Sequence, residues 1–396
     1  MRGSKRLNTL VPGGDDGWGL YLRATSMHAS GQPVVMLTIG DHDIHTDPAI
    51  VAAMAESAAA GHLGYAPVPG TEALRQAIAT RVTAQTATRA TPAEITVTPG
   101  GQAGLFAALM AATDPGEGCV LLDPCYATYP QTVRAAGARP VVVPAPAEGG
   151  FQPDVPAIAA ALDPGTRAIL INTPNNPTGA VYTRPTLEAL ARLCIERDLW
   201  LISDEVYDTQ VWQGAHLSPR ALPGMAERTL VVNSLSKSHA MTGSRVGWVV
   251  APEVVTRELW HLSTATTYGL PGFIQDGAAF ALTEGLAAEQ AIVTRYRRRR
   301  EAALVALGTG PGFRVVPPQG GMYIMLDVRQ SGLTGEEFAT RLLEEHLIAV
   351  MPGESFGSAA AGHLRIALTQ PEEVLVPALR TIASLAGRLA AQRAVA

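Results

Sequence analysis

Lys237 stands in SLSKSHAMTGSRVGW (234–248), close to Ser234, Ser236 and Arg245. Two hydroxyls and a guanidinium suit a phosphate. A lysine beside a phosphorylated aromatic aldehyde can form a Schiff base with it. Asp204 ends the apolar run of WLISDEVYD (200–208). A carboxylate there can cap the next turn. It can equally keep a pyridine nitrogen protonated, so that the ring accepts electrons. Tyr207 lies three residues on and reaches toward the same ligand. NTPNNPTG (172–179) follows the apolar RAILI. Asn-Pro and Thr-Gly are ordinary turn formers, and Asn176 can also donate to a ring oxygen. TPGGQAGLF (98–106) is a glycine turn opening a helix, whose backbone N–H groups can hold a phosphate.

These groups need elements to bring them together. From about residue 95, short apolar runs alternate with helical ones: EITVTP, CVLLDP, RPVVVPA, RAILINTP, WLISDE and TLVVNSL. Wholly apolar strands between helices predict a mostly parallel sheet covered on both faces. Ligands of such sheets sit at the carboxyl ends of the strands, where these motifs fall. Upstream, VVMLTIG (34–40) reads as a strand and DPAIVAAMAESAAAG (47–61) as a capped helix; in GTEALRQAIATRVTA, Thr71 can cap a helix. Gly13–Gly19 reads as part of an arm. After about residue 285, RYRRRREAALVALGTG predicts a helix. GMYIMLDV and HLRIAL predict strands, with a helix at 335–346 between them. This gives an α/β fold with an arm (1–45), a large domain (46–285) and a smaller α+β domain (286–396) that packs with the arm.

Composition narrows the function. At 47% hydrophobic and 16% charged, the 396 residues can bury a large core. A net charge of −5 argues against nucleic acid, and Arg297–Arg300 reads as a solvated helix face. Cys119, Cys125 and Cys194 form no C-x-x-C pair, so no metal site is expected and a reducing cytoplasm fits. MRGSKRLNTLVPGGDDGW lacks the apolar core of a signal peptide, and no segment is expected to span a membrane. A dinucleotide site built on TPGGQAGLF and Asp123 is a rival. Its glycines read GGxxG, however, and it leaves Lys237, Asp204 and Asn176 without a shared purpose.

Taken in order, eight segments resemble the fold-type I enzymes that use pyridoxal 5'-phosphate (PLP), in particular the class I/II (aspartate aminotransferase-like) aminotransferases. They are YAPVPGTEALRQAIA (65–79), TPGGQAGLFAAL, LDPCYATYP, NTPNNPTGAVY, SDEVYD, SLSKSHAMTGSRVGW, PQGGMYIMLD and MPGESFG with HLRIALT. The resemblance implies a fold-type I transferase, with a mostly parallel central sheet in its large domain. Lys237 would carry PLP as a Schiff base and shuttle the proton. Asp204 would pair with the pyridine nitrogen, Asn176 and Tyr207 with the phenolate oxygen, and Tyr126 would stack on the ring. Gly101, Gln102, Ala103, Ser234, Ser236 and Arg245 would hold the phosphate. Tyr65 would reach the phosphate of a neighbouring subunit, implying a homodimer. Arg365, with Gly40 and Asn176, would bind the substrate α-carboxylate. The implied reaction moves the amino group of an L-α-amino acid to a 2-oxo acid, by a ping-pong route through pyridoxamine phosphate.

The family often reads G-E-P-D-F where this chain has GDHDI in GDHDIHTDP (40–48). The stretch reads either as a varied loop or, because His42 adjoins Gly40, as placing His42 against the substrate side chain; His45 follows it. Gln102 lacks the charge of the lysine that many aspartate-specific relatives carry there. The segment STATTYGLPG (263–272) offers Tyr268 but no arginine. Trp18, Tyr21, Tyr268, Met322 and Phe356 are candidates for an apolar part of the pocket. Two other functions share the resemblance. A C–S β-lyase would use the same cofactor site. A PLP-binding transcription regulator would need a DNA-binding domain, and the first ~40 residues lack a helix-turn-helix pattern.

Overall fold

A computed structural model describes residues 3–14 and 17–395. Asp15 and Asp16 of the predicted arm lie outside the described residues. The described residues form two sheets. The strands are β1 (Val35–Leu37), β2 (Ile95–Pro99), β3 (Gly118–Asp123), β4 (Arg139–Pro144), β5 (Thr166–Asn172), β6 (Trp200–Asp204), β7 (Thr229–Ser234), β8 (Val246–Val250), β9 (Arg314–Val316), β10 (Tyr323–Asp327), β11 (Ile348–Pro352) and β12 (His363–Ala367). One sheet has seven strands in the order β2-β8-β7-β6-β5-β3-β4, and the other has five in the order β1-β11-β12-β10-β9.

In the larger sheet, β3 to β7 run parallel, and β8 runs antiparallel to both β2 and β7. Every residue of β3, β7 and β8 is buried, as expected for strands covered on both faces. The carboxyl ends of β3, β5, β6 and β7 thus bring Asp123, Asn172, Asp204 and Ser234 to one edge, with Asn172 beside Asp204 in register. The helices follow their capping signals. Asp47 accepts the amide of Ala49 at 2.8 Å ahead of Pro48–Ala59, and Thr71 accepts that of Leu74 at 3.4 Å ahead of Glu72–Thr86.

The predicted strand near 34–40 pairs in parallel with β11, so this part of the arm belongs to the five-stranded sheet. Several elements are not signalled by the sequence pattern. β8 begins inside the lysine motif and runs past its end, interrupted by Gly247. β9 is three residues long, and β11 follows a helix directly. The helix Glu372–Val395 also differs from expectation. Part of it, Glu372–Ala394, is long and apolar enough to cross a membrane by composition. Its face of Leu375, Leu379, Ile382, Leu385 and Ala386 instead packs into the core beside the five-stranded sheet.

The arginine run is a solvated face only in part: Arg297 and Arg298 are exposed, whereas Arg299 is buried and Arg300 half-buried. Arg297 lies over the Trp212 ring at 5.6 Å, and Arg298 pairs with Glu372. Arg299 binds Asp43 through both terminal nitrogens at 2.8 and 2.6 Å, and Arg300 donates to the carbonyl of Pro318 at 2.8 Å. The helix Leu286–Leu307 uses these four residues to tie down surrounding loops.

Asp123, the carboxylate of the rival dinucleotide reading, is already engaged. It accepts from Ser358 Oγ at 2.7 Å and from the amide of Ala359 at 3.1 Å. Gly357, at φ 133°, passes so close that a Cβ would collide with this carboxylate. The pair of bonds joins the end of β3 to the loop before β12. Asp123→Ala should therefore strand two donors and lower stability by about 1–3 kcal/mol. Denaturant titration tests this, and an unchanged midpoint would contradict the latch.

Candidate active site

The strand edge opens onto a cavity of about 520 Å³. Its floor is the start of the helix Gly100–Ala112, which follows β2. Gly247 on β8 allows this start to approach closely. A Cβ there would lie 2.6 Å from the carbonyl carbon of Gly100 and 2.7 Å from the nitrogen of Gly101. Arg245 lies across Gly100, where a Cβ would sit 2.5 Å from its Nη2. Its own backbone is left-handed at φ 53°, a costly conformation for arginine that is usual only where a site needs it. Arg245 Nη1 donates to the carbonyl of Thr242 at 3.0 Å. Ser234, Ser236, Gly101 and Arg245 all line the cavity. Free helix N–H groups, hydroxyls and a guanidinium converge there, a donor set that fits a phosphate.

Asp204 is buried at the end of β6. Its Oδ2 accepts from Tyr129 Oη at 2.6 Å and its Oδ1 from the amide of Val206 at 3.2 Å. Burial pushes its pKa up. The Tyr129 and Val206 bonds pull it back, nearby Glu205 raises it again, and it stands at about 6. Glu205 itself accepts from Ser203 and Ser218, both at 2.8 Å, and faces His216 Nε2 at 3.0 Å. Burial alone would lower the His216 pKa, but the Glu205 carboxylate raises it.

Lys237 follows β7 in the short helix Leu235–Ser238. Its Nζ donates to the carbonyl of Gly40. Burial lowers its pKa, and the cations Arg365 and Arg245 lower it further, against Tyr323 and Asp41. The amine therefore gives up its proton more readily than an ordinary lysine. Gly40 cannot be replaced lightly, because a Cβ would run into the Tyr323 hydroxyl.

Arg365, in the middle of β12, is 1% exposed and lies between two rings, Tyr323 and Phe356, each 4.3 Å from its guanidinium carbon. Its Nη1 donates to Asn176 Oδ1 at 2.9 Å and its Nη2 to the carbonyl of Thr38. Both partners are neutral, and Nε has none. Burial lowers its pKa. Each terminal nitrogen keeps a second N–H, a fork that matches a carboxylate. Because Asn176 Oδ1 is taken, its NH2 is the group left to donate. Tyr207 Oη sits 3.3 Å from Tyr323 Oη, and Tyr126 lies edge-on to Tyr129 at 5.7 Å.

The cavity thus gathers Lys237, Asp204, Asn176, Tyr207, Tyr126, Gly40, Gly101, Gln102, Ser234, Ser236, Arg245 and Arg365. Other expected residues lie elsewhere. Ala103 is not among the residues that line the wall. The Gln102 side chain turns to Thr132 Oγ1 at 2.7 Å and Thr128 Oγ1 at 3.2 Å. His42 turns away from the cavity, toward Tyr296. Tyr65 is 91% exposed and meets Tyr268 edge-on at 5.1 Å, apart from this chain's own cavity. Of the apolar candidates, Trp18 lines the wall and Phe356 stacks on Arg365, whereas Met322 is plain core. Tyr129 and Tyr323 were not singled out from the sequence. Both stand inside recognised segments, LDPCYATYP and PQGGMYIMLD, but only the fold shows that their hydroxyls reach Asp204 and Tyr207.

Comparison with known proteins agrees with this geometry. The family described as Aminotransferase class I and II matches residues 32–382. The arginine–pyruvate transaminase of Pseudomonas aeruginosa is 43% identical over 392 residues, covering 99% of this chain and 100% of that one. The aspartate/prephenate aminotransferase of Thermus thermophilus is 37% identical, covering 98% and 100%. The solved structure of Thermus thermophilus aspartate aminotransferase with maleate superposes with a TM-score of 0.89 at 36% identity, over 97% of this chain and 100% of that one.

Asp204 yields a prediction with a definite sign. Its pKa is raised, so the stability it leaves the chain at low pH is lost as pH rises toward and through about 6. From its ordinary 3.8 to about 6 the loss is roughly 3 kcal/mol. Chemical denaturation of the cofactor-free chain across pH 4–7 should show this, and Tyr129→Phe should move the midpoint further up. A profile identical in Asp204→Asn would contradict the assignment.

Proposed function

The chain belongs to the class I and II aminotransferases, and from that premise we propose how its cavity carries out amino-group transfer. The reaction moves the amino group of an amino acid to a 2-oxo acid and depends on PLP. The observation that carries the assignment of roles is the meeting, in one cavity, of a lysine with a lowered pKa and a buried arginine lacking a carboxylate partner. The β-lyase alternative gains no support from these relatives.

The residues present fit the cofactor. A glycine-backed helix start with Arg245, Ser234 and Ser236 suits its phosphate. Asp204, whose burial disfavours its own charge, suits a protonated pyridine nitrogen beside it. Asn176 and Tyr207 offer donors for the phenolate oxygen, and Tyr126 a ring to stack. When bound, PLP supplies an aldehyde that takes up the amino group and a ring that accepts the electron pair of the broken Cα–H bond. Arg365 and Asn176 grip the substrate α-carboxylate and fix Cα in front of Lys237. The Lys237 amine, whose proton is loosened chiefly by burial, takes the Cα proton as general base once it is free and later returns it. Tyr323 and Phe356 cover both faces of the Arg365 guanidinium and exclude water from it.

We read the working unit as a homodimer, because exposed Tyr65 and Tyr268 stand where a second copy could receive them. We take residues 46–285 as the cofactor-holding domain, and the described residues of 1–45 with 286–395 as the smaller one. Three buried free cysteines support a cytoplasmic setting. For the substrate, every cation on the described wall has a role already: Lys237, Arg245 and Arg365. None is left for a second carboxylate, and Asp41 adds a negative charge. With the similarity to an arginine–pyruvate enzyme, this favours arginine or a neutral amino acid as donor and pyruvate as acceptor.

Two experiments test this reading. Lys237→Ala should abolish the visible absorbance band that PLP forms with the protein. Arg365→Ala should keep the band and lose roughly 10²–10³-fold in kcat/KM; unchanged kinetics would place the carboxylate elsewhere. Separately, arginine with pyruvate should turn over with higher kcat/KM than aspartate, and a preference for aspartate would overturn the donor assignment.

A further inference from the structure

The turn Gly40–Asp43 joins the lysine to the long helix Leu286–Leu307 of the other layer. Gly40 receives Lys237 Nζ on its carbonyl. Asp41 accepts from Thr242 Oγ1 at 2.9 Å, which fixes it to the loop after the lysine. Asp43 holds Arg299 on the helix. Between these two acids, His42 Nδ1 meets Tyr296 Oη at 3.0 Å, with the rings edge-on at 5.4 Å. Arg299 in turn lies over the Tyr296 ring at 5.5 Å. Both acids flanking His42 are committed elsewhere, so His42 has no anionic partner of its own.

His42 is an uneconomical residue for plain packing. Its Nε2 is buried and makes no full hydrogen bond, although the Ser236 backbone, next to Lys237, lies close enough to favour the protonated ring, and a poorly met buried polar atom costs stability that an apolar side chain would not. Burial, and then the nearby Lys237 charge, hold its pKa down at about 4, against Asp41 and Asp43. The imidazole is therefore neutral at working pH and adds no charge beside the amine. What it provides is a directed bond to Tyr296, at the point where the Gly40 turn crosses the helix, with its other face turned to the Ser236 backbone.

We propose that His42, through its bond to Tyr296, is a positioning residue for Lys237, holding the Gly40 carbonyl and hence the lysine amine at their place in the cavity. It touches neither substrate nor cofactor. Loosening the turn lets Lys237 leave its buried position, and its pKa then rises toward that of an ordinary lysine. The proposal rests on Lys237 being the residue that reacts with PLP.

The test uses the full chain freed of cofactor. PLP is added, and the rate at which the visible band forms is followed across pH, alongside thermal melting. Tyr296→Phe removes one hydroxyl and keeps the shape. It should move the midpoint of the rate profile up by roughly half a pH unit, about a threefold change in free amine. His42→Ala should do the same, and the double variant no more than either single one, since both break the same bond. His42→Asn, which keeps an acceptor near Nδ1, should recover part of the shift. Lower melting with an unmoved midpoint in both single variants would overturn the proposal. If the unaltered chain forms no band, the reading of Lys237 fails instead, and that is seen before any substitution.

Discussion

The structure turns on a guanidinium buried among neutral groups. Arg365 is sandwiched between Tyr323 and Phe356, and its protein acceptors are an amide oxygen and a backbone carbonyl. Those acceptors come from separate parts of the chain: Thr38 just after β1, and Asn176 in the turn after β5. One side chain therefore ties the five-stranded sheet to the ligand edge of the seven-stranded one. A charge so placed is costly unless an anion completes it. The α-carboxylate common to amino and oxo acids is such an anion, and binding it fixes the substrate where the two layers meet.

Burial works on the other two ionisable groups in opposite senses. It lowers the Lys237 pKa and raises that of Asp204, moving each toward its neutral form. For the lysine this is the state a base requires. For the aspartate it means that the carboxylate is most stable with a cation beside it, and Tyr129 holds it in readiness. Neighbouring groups work against burial without reversing it: Tyr323 and Asp41 at Lys237, and the Tyr129 and Val206 bonds at Asp204. These shifts arise from placement at the ends of β6 and β7, which in turn follows from a parallel sheet buried on both faces.

Much of this was legible in the sequence. The alternation of apolar runs and helices gave the parallel sheet, and Lys237, Asp204, Asn176, Arg245 and Arg365 could each be named from their segments. What escaped depended on contacts between distant segments. In the arginine run, Arg299 and Arg300 are not solvated as their neighbours Arg297 and Arg298 are, because their partners Asp43 and Pro318 lie outside the helix. His42 looked like a substrate contact because it adjoins Gly40, whereas the turn points it at Tyr296, 254 positions along. Tyr129 was hidden behind Tyr126, which lies three residues earlier in the loop before its helix. β8 was obscured because a glycine needed for close packing breaks its apolar pattern.

The account stands most directly on the transfer of nitrogen itself. The holoenzyme is mixed with arginine labelled with ¹⁵N at the α-amino group and with pyruvate, and the products are read by mass spectrometry. The structure predicts labelled alanine and the 2-oxo acid of the donor in equal amounts. Labelled ammonia with no labelled alanine, from this or any other α-labelled donor, would contradict it.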